Sequence, residues 1–435
     1  MKFEYQNTSG VTKSQINMTF ERLRPYISTL KGISKKNTYE QLEASINAPS
    51  DEKIVKVINK TIKQKVSDKL KYIIVIGIGG SNLGTMAIYE ALKKVKRSSP
   101  LKEILFIDTP DDLDLEYLLS KVEQNITDKE ELLICSISKS GGTAETITNT
   151  EIVYSYFERI YPNISERLVV VSNEGSKYWK AAQEKNITTL PIPELVGGRY
   201  SVFTPVGLFP LAAAGVDIKK LLLGAKEVSE GALAKSVTKN NAAVSAIILY
   251  RQYKKDRYIH DTFLFHKQLE SLGKWYRQLL AESIGKEKNK HEKVVHVGIT
   301  PTVSIGSTDL HSVGQLYLGG PKDKITTFVS ALKVQSFLFS VPKNRLFPNL
   351  VPMVSNLSAH KLIGAIMQGT KIAYKKKRLP YMEITFDDIT EKSIGSFMQF
   401  KMFEVMYLGH LLNLHTFDQP NVENYKSETK KILTK

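Results

Sequence analysis

Five short apolar runs recur between residues 72 and 193, each separated from the next by an amphipathic segment: YIIVIG (72–77), EILFID (103–108), ELLICSI (131–137), RLVVVSN (167–173) and TTLPIP (188–193). Strand-length runs alternating with helical spacing restrict the chain to a parallel sheet covered by helices on both faces. A second round follows, with VVHVGI (294–299), KITTFVSA (324–331) and YMEITF (381–386) expected as strands between helices such as LSAHKLIGAIMQGTKIAYKK. The expected fold class is therefore α/β with two such units. The first fifty residues carry helical spacing, as in NMTFERLRPYISTLKGI, and read as a helical lead-in that ends in the loop NAPSDE. GGRYSVFTPVG (197–207), rich in Gly and Pro, is expected to mark the junction between the units. The division is thus 1–49 helical, 50–203 first domain, 204–412 second domain and 413–435 a C-terminal segment. IGSFMQFKMFEVMYLGHLLN (394–413) is apolar nearly all round, yet Gln399, Lys401 and Glu404 interrupt it, which favours a buried helix over a membrane span.

Composition narrows the partners. Across 435 residues, 61 Lys and Arg face 44 Asp and Glu, a net charge of +17 that attracts phosphorylated molecules. Lysines outnumber arginines and are scattered along the chain, whereas base readout favours the planar arginine fork, so nucleic acid is not the expected partner. The densest basic run, KKKR (375–378), is read as a helix end whose cations complement the helix dipole. Cys135 is the only cysteine, which rules out an intrachain disulfide and fits a reducing compartment; at the end of an apolar run it is expected to pack rather than react. The N-terminal MKFEYQNTSGVTKSQ lacks the apolar core of a signal peptide, and no run reaches the roughly 18 apolar residues of a membrane span. The expectation is a cytoplasmic protein with no membrane partner.

Two loops in the first unit carry the chemistry. GIGGSNLG (77–84) and SISKSGGTAET (136–146) each follow a strand and lead into a helix. Ligands of parallel sheets bind at the carboxyl ends of strands, and a helix N-terminus presents free amides to an anion. Glycines let the backbone close on a phosphate, while the hydroxyls of Ser81, Ser138, Ser140 and Thr143 and the charge of Lys139 supply side-chain contacts. Neither standard nucleotide signature fits. The dinucleotide pattern begun by Gly77 and Gly79 has Asn82 where its third glycine belongs, and the Gly79–Gly84 spacing of a Walker loop is followed by Thr85 rather than lysine. Tight strand-to-helix turns capped by Ser and Thr are the alternative reading of either loop alone.

Taken together, GIGGSNLG (77–84), SKSGGTAET (138–146), ELVGGRYSVFTPVG (194–207), AESIGKE (281–287), STDLHSVGQ (307–315) and GHLLNLHTFDQPNVENYK (409–426) resemble, in order, the motifs of the glucose-6-phosphate isomerase family. The resemblance implies two sugar-isomerase (SIS) subdomains, each a mostly parallel five-stranded sheet flanked by helices in three α/β/α layers. It implies reversible aldose–ketose isomerisation of glucose 6-phosphate and fructose 6-phosphate through a cis-enediol, with no cofactor and no metal. The partner it implies is a small phosphosugar, and the assembly a homodimer that shares its sites.

By that resemblance Glu282 is the base that moves a proton between C1 and C2, Arg199 stabilises the enediolate, and His311 and Lys426 open the sugar ring. Gly80, Ser81, Ser138, Lys139, Ser140, Thr143 and Gln419 match substrate-binding positions. The 413–435 segment would then border the active site. Leu279, Leu280, Ala281 and Ile284 flank Glu282 in sequence and are expected to wrap its carboxyl in apolar surface, raising its proton affinity. Two departures stand out: Asn421 replaces the glycine usual two residues after the glutamine, which calls for Asn in a left-handed turn, and KEKNKHEKVVHVGITPTVSIG (286–306) begins with a dense charge run. A non-catalytic phosphosugar sensor and an enzyme for another phosphosugar remain the rival readings at this level.

Overall fold

The computed structural model describes residues 1–96, 99–333 and 339–434. The chain opens on a three-residue strand, β1 (Lys2–Glu4), and a long helix (Lys13–Lys36) that starts at a Thr12–Gln15 capping box. Strands β2 (Tyr72–Ile76), β3 (Glu103–Ile107), β4 (Leu132–Ile137), β5 (Leu168–Asn173) and β6 (Thr188–Ile192) then form an all-parallel sheet in the order β3-β2-β4-β5-β6. Every residue of β2 and β4 is buried, because helices seal both faces. Ile73, Val75, Leu133 and Cys135 point into one apolar cluster, while Ile74, Ile76, Leu132 and Ile134 point into the other. The chain leaves β2 toward β3 on one side and returns to β4 on the other, so a crevice opens beyond the carboxyl ends of β2 and β4.

The second sheet uses β7 (Ile259–Leu264), β10 (Thr300–Ile305), β11 (Lys324–Ala331) and β12 (Tyr381–Phe386), with a hairpin, β8 (Lys286–Lys288) and β9 (Val294–Val297), inserted outside it. Its order is β1-β12-β11-β7-β10, parallel except for β1, which pairs antiparallel at the edge with Phe3 opposite Ile384. Helices cover it as well, giving the second α/β/α unit that the sequence led us to expect. One continuous apolar cluster runs from Ile73 and Val75 of the first sheet to Val329, Met382 and Ile384 of the second. The helix Glu391–Leu411 lies inside it, packed on the helices Ile218–Ala232 and Asn241–Tyr253, and its buried character is as expected. Among the described residues no helix is long and apolar enough to cross a membrane.

Two expectations need correction, and one strand was not expected. The N-terminal segment is not purely helical, since β1 joins a sheet whose other strands lie more than 250 residues away. VVHVGI does not enter the second sheet; Val294–Val297 is half of the hairpin, and the sheet strand follows at Thr300–Ile305. The interior strand β7, absent from the expected strands, carries His260, Asp261 and Thr262, all buried, so it lacks the apolar run that marks the inner strands of the first sheet.

Of these, His260 belongs to a network that links helices to sheet. Lys401 and Glu404, both 0% exposed, pair at 3.0 and 2.9 Å. Tyr276 Oη donates to Glu404 Oε1 at 2.6 Å, and Ser245 Oγ donates to the other oxygen. Tyr276 also meets His260 Nδ1 at 3.2 Å, and His260 Nε2 meets Thr327 Oγ1 at 2.8 Å. Burial, reinforced by the Lys401 ammonium, holds His260 well below the usual imidazole range. The ammonium sits 4.3 Å from the Tyr276 ring centre, an added cation–π contact. Because a buried charge stripped of its partner is far more costly than the intact pair, Glu404→Leu should lower stability by about 3–5 kcal/mol. The double variant Lys401→Met/Glu404→Leu should recover most of that loss; equal urea midpoints for single and double variants would contradict the pairing.

Candidate active site

The loop after β2 turns at Gly79 and Gly80. Gly79 takes φ 59°, a left-handed conformation that favours glycine. Gly80 has no room for a side chain: a Cβ there would lie 2.2 Å from the Gly198 carbonyl carbon, so the loop backbone rests directly on the Gly198–Tyr200 turn. Ser81 closes this short turn, with its amide donating to Ile78 O at 3.2 Å.

The loop after β4 ends at the helix Ala144–Ile160. Thr143 is its N-cap residue but caps no amide with its side chain, which leaves the first-turn N–H groups open to an anion. Ser138, buried, donates to Thr143 Oγ1 at 3.2 Å, and exposed Ser140 accepts the Gly142 amide at 3.4 Å. Lys139 is half-buried, and burial lowers its pKa below the ordinary 10.5; Glu194 opposes that shift and Arg199 adds to it. The two loops therefore flank the β2/β4 crevice and converge with the 194–200 segment on one place.

Arg199 stands at the centre of that place. Its side chain is 2% exposed, and its N–H groups make five hydrogen bonds, matching the full donor capacity of a guanidinium. Nε donates to Ser283 Oγ at 2.8 Å; one terminal nitrogen donates to Glu282 Oε2 at 3.1 Å and Gln419 Oε1 at 2.8 Å; the other reaches Thr416 O at 2.7 Å and Asp418 O at 3.2 Å. Four of the sequence-predicted elements, Gly80, Arg199, Glu282 and Gln419, are thus brought together, with Lys139 beside them.

Glu282 closes the helix Glu270–Ile284, which packs between the helix Leu83–Lys93 of the first unit and β10 of the second. The expected apolar wrapping of its carboxyl is not what the fold builds. Leu279, Leu280 and Ile284 are buried in the core, while the Glu282 side chain, 33% exposed, faces Arg199 and accepts Gln278 Nε2 at 2.9 Å. Its partners are polar because the helix turns its apolar side inward.

His311 and Lys426 lie apart from this cluster. His311 follows the turn Thr308–Leu310 beyond the carboxyl end of β10; it is exposed, and its ring makes no hydrogen bond among the described residues. Lys426, 49% exposed on the helix Glu423–Leu433, pairs with Glu423 at 2.7 Å.

The two unusual segments meet each other. Lys286, at the start of the charged hairpin, is buried and pairs with Asp418 Oδ1 at 2.8 Å, while also donating to the Asp418 carbonyl. Burial lowers its pKa, with Asp418 pulling the other way. Lys290 N donates to Asn413 O at 2.9 Å, and Asn421 donates to Glu287 at 3.0 Å. Asn421 therefore does not need the left-handed conformation expected for it: it lies in the short helical turn Pro420–Val422 and is absent from the positive-φ residues. The hairpin clamps the stretch 413–421 onto Arg199. Gln278, Ser283 and Lys286 are the site residues that sequence reading missed. Gln278, one helical turn before Glu282 on the same face, could have been found from the i, i+4 spacing.

These features define the class: a two-unit α/β/α protein with phosphate-type loops at a strand switch point, converging on a carboxylate–guanidinium pair. The chain belongs to the phosphoglucose isomerase family, whose model matches residues 38–435. It is 36% identical over 364 residues to a glucose-6-phosphate isomerase of Methanocaldococcus jannaschii, covering 84% of each chain. A glucose-6-phosphate isomerase of Mycoplasmopsis synoviae is 30% identical over 444 residues and 100% of both chains. The fold is shared with the crystal structure of a hypothetical protein from Thermus thermophilus, with a TM-score of 0.85, 24% identity and 100% coverage of both chains.

Two outcomes test this geometry. Gly80→Ala should push the loop off Gly198 and lower kcat/KM for fructose 6-phosphate by about 10² or more, since small misplacements at such a site have effects of that size; wild-type kinetics would show that the close approach is dispensable. Because Lys139 loses its proton at lower pH than an ordinary lysine, KM should rise with pH before 10.5 is reached, and Lys139→Arg should move that rise to higher pH. A pH profile of KM identical in the two proteins would remove Lys139 from phosphate binding.

Proposed function

We propose that this chain interconverts glucose 6-phosphate and fructose 6-phosphate, with Glu282 as the base and Arg199 as the charge stabiliser. Family membership supports the substrate and the reaction. The observation that carries the residue roles is the 3.1 Å contact between Glu282 and Arg199 at the mouth of the β2/β4 crevice.

The sugar phosphate is held through its phosphate by the amides of the 144–146 turn and the hydroxyls of Ser138, Ser140 and Thr143, with Lys139 neutralising part of the charge. Gly80 and Ser81 let the backbone approach the sugar closely. His311 and Lys426 open the ring by proton transfer at its oxygen. Glu282 then removes the proton from C2 of the aldose, the carbonyl oxygen at C1 gains one, and the enediol forms; returning the proton from Glu282 to C1 while the C2 hydroxyl gives up its own proton leaves the carbonyl at C2 and completes the ketose. The negative charge of the enediolate develops beside the fixed Arg199 guanidinium, which needs little reorganisation because its hydrogen bonds already lock it in place. Gln419 and Gln278 orient the hydroxyls next to the reacting carbons. No metal or cofactor enters these steps.

The reading includes two SIS subdomains dividing near residue 203, a cytoplasmic location and a homodimer. Two features support the dimer. Phe339, Leu346, Phe347, Leu350 and Met353 are large, apolar and exposed along one segment, a pattern typical of a covered surface. His311 is exposed and away from Arg199, as a side chain lent to a neighbouring site is.

Replacing Glu282 by Gln should lower turnover by about 10² to 10⁴ while leaving sugar-phosphate binding in place. Wild-type protein incubated with fructose 6-phosphate in deuterated water should yield glucose 6-phosphate carrying deuterium at C2, read by NMR. Binding without product would turn the assignment toward a phosphosugar sensor. If His311 acts across the dimer, mixing Glu282→Gln with His311→Ala protein should restore part of the activity, and no recovery after demonstrated subunit exchange places both groups in one chain.

A further inference from the structure

At the opposite end of the second sheet lies a cleft of about 270 Å³ that the isomerase reading does not use. It is lined by Lys255, Arg257, Lys375 and Arg378 together with the 7–10 loop and the start of β12. No carboxylate lines it, and none of the four cations makes an ion pair among the described residues. Asp256, next in sequence, accepts from Tyr258 and is not part of the lining. Four cations left without counter-ions in one concave space repel one another, which an anion relieves.

The cleft is built rather than incidental. Buried Gln252 holds two of its walls: its amide donates to Ser9 O, and its carbonyl accepts Arg257 at 2.9 Å. Tyr381 N donates to Thr8 O at 3.0 Å, and Lys255 Nζ to Gly10 O at 2.9 Å. Arg257 Nε is buried and has no hydrogen-bond partner, an unmet donor of a kind folded proteins seldom leave. On the other wall the helix Ala359–Lys376 ends, and Arg378 at φ 54° reverses the chain so that both Lys375 and Arg378 border the same space. The KKKR run is therefore more than a helix end.

We propose that this cleft is a second anion site, separate from the sugar-phosphate crevice, for a small molecule bearing two oxyanion groups. The volume, about 270 Å³, lies just below the usual range of ligand pockets, which suits a diphosphate or a phosphorylated three-carbon acid better than a nucleotide. Four cations match the charge of such an anion.

The test is a calorimetric titration of full-length protein with pyrophosphate, and separately with 3-phosphoglycerate, in saturating fructose 6-phosphate to occupy the other site. One anion should bind per chain, and Lys255→Gln/Lys375→Gln should weaken it at least about tenfold with kcat unchanged. The stronger of the two anions identifies the source. Loss of all binding once fructose 6-phosphate is present, or undiminished binding to the double variant, overturns the proposal. Hydrogen exchange on the wild-type protein gives an independent reading: pyrophosphate should slow exchange at 252–258 and 374–381. Slowing confined to 138–146 would leave only the sugar-phosphate loops as the anion site.

Discussion

Arg199 is the point on which the geometry of the site depends. A buried guanidinium is tolerated only where its charge is paired and its donors are met. Here the acceptors come from the end of the Glu282 helix, from Gln419 and from two carbonyls of the 416–418 stretch. Each is far from Arg199 in sequence, so satisfying one side chain brings three distant segments into a single arrangement. Lys286 adds a second buried cation that binds the same Asp418, holding the C-terminal stretch from the other side.

The same helix is anchored at its other flank. Tyr276, six residues before Glu282, hydrogen-bonds into the buried Lys401–Glu404 pair and touches His260 of β7. A helix fixed by charge at its end and by a polar network along its length has little freedom to rotate, and rotation is what would move Glu282 away from the crevice. The helix also packs on both units, which links the glycine- and hydroxyl-rich loops of one sheet to the Glu282 side chain beside the other.

Much of the first unit was legible in the sequence. Its inner strands coincide with apolar runs because both their faces are buried and most positions demand an apolar side chain, while the edge strands β3 and β6 are only partly buried. The two loops at the ends of β2 and β4 were legible for a related reason: glycine, serine and threonine at a strand end serve needs that are local to the backbone. In the second unit the signal weakens. β7 carries buried His260, Asp261 and Thr262, the first two with side-chain partners on other elements, and β1 is too short to display any period. Glu282, Arg199 and Gln419 were named from motif resemblance, yet the expected apolar surroundings of Glu282 were wrong, because helix rotation places its apolar neighbours in the core.

What the sequence by itself determined is local: a run of β-branched residues makes a strand, glycine permits a left-handed turn, and an uncapped helix start is open to an anion. Only the tertiary structure decided that Arg199 saturates its donors across two distant segments, that the charged hairpin clamps the C-terminal stretch, and that four scattered cations border one cleft. These depend on where burial leaves a charge without water. A charge in that position must find partners in space, and nothing in the order of residues states which partners those are.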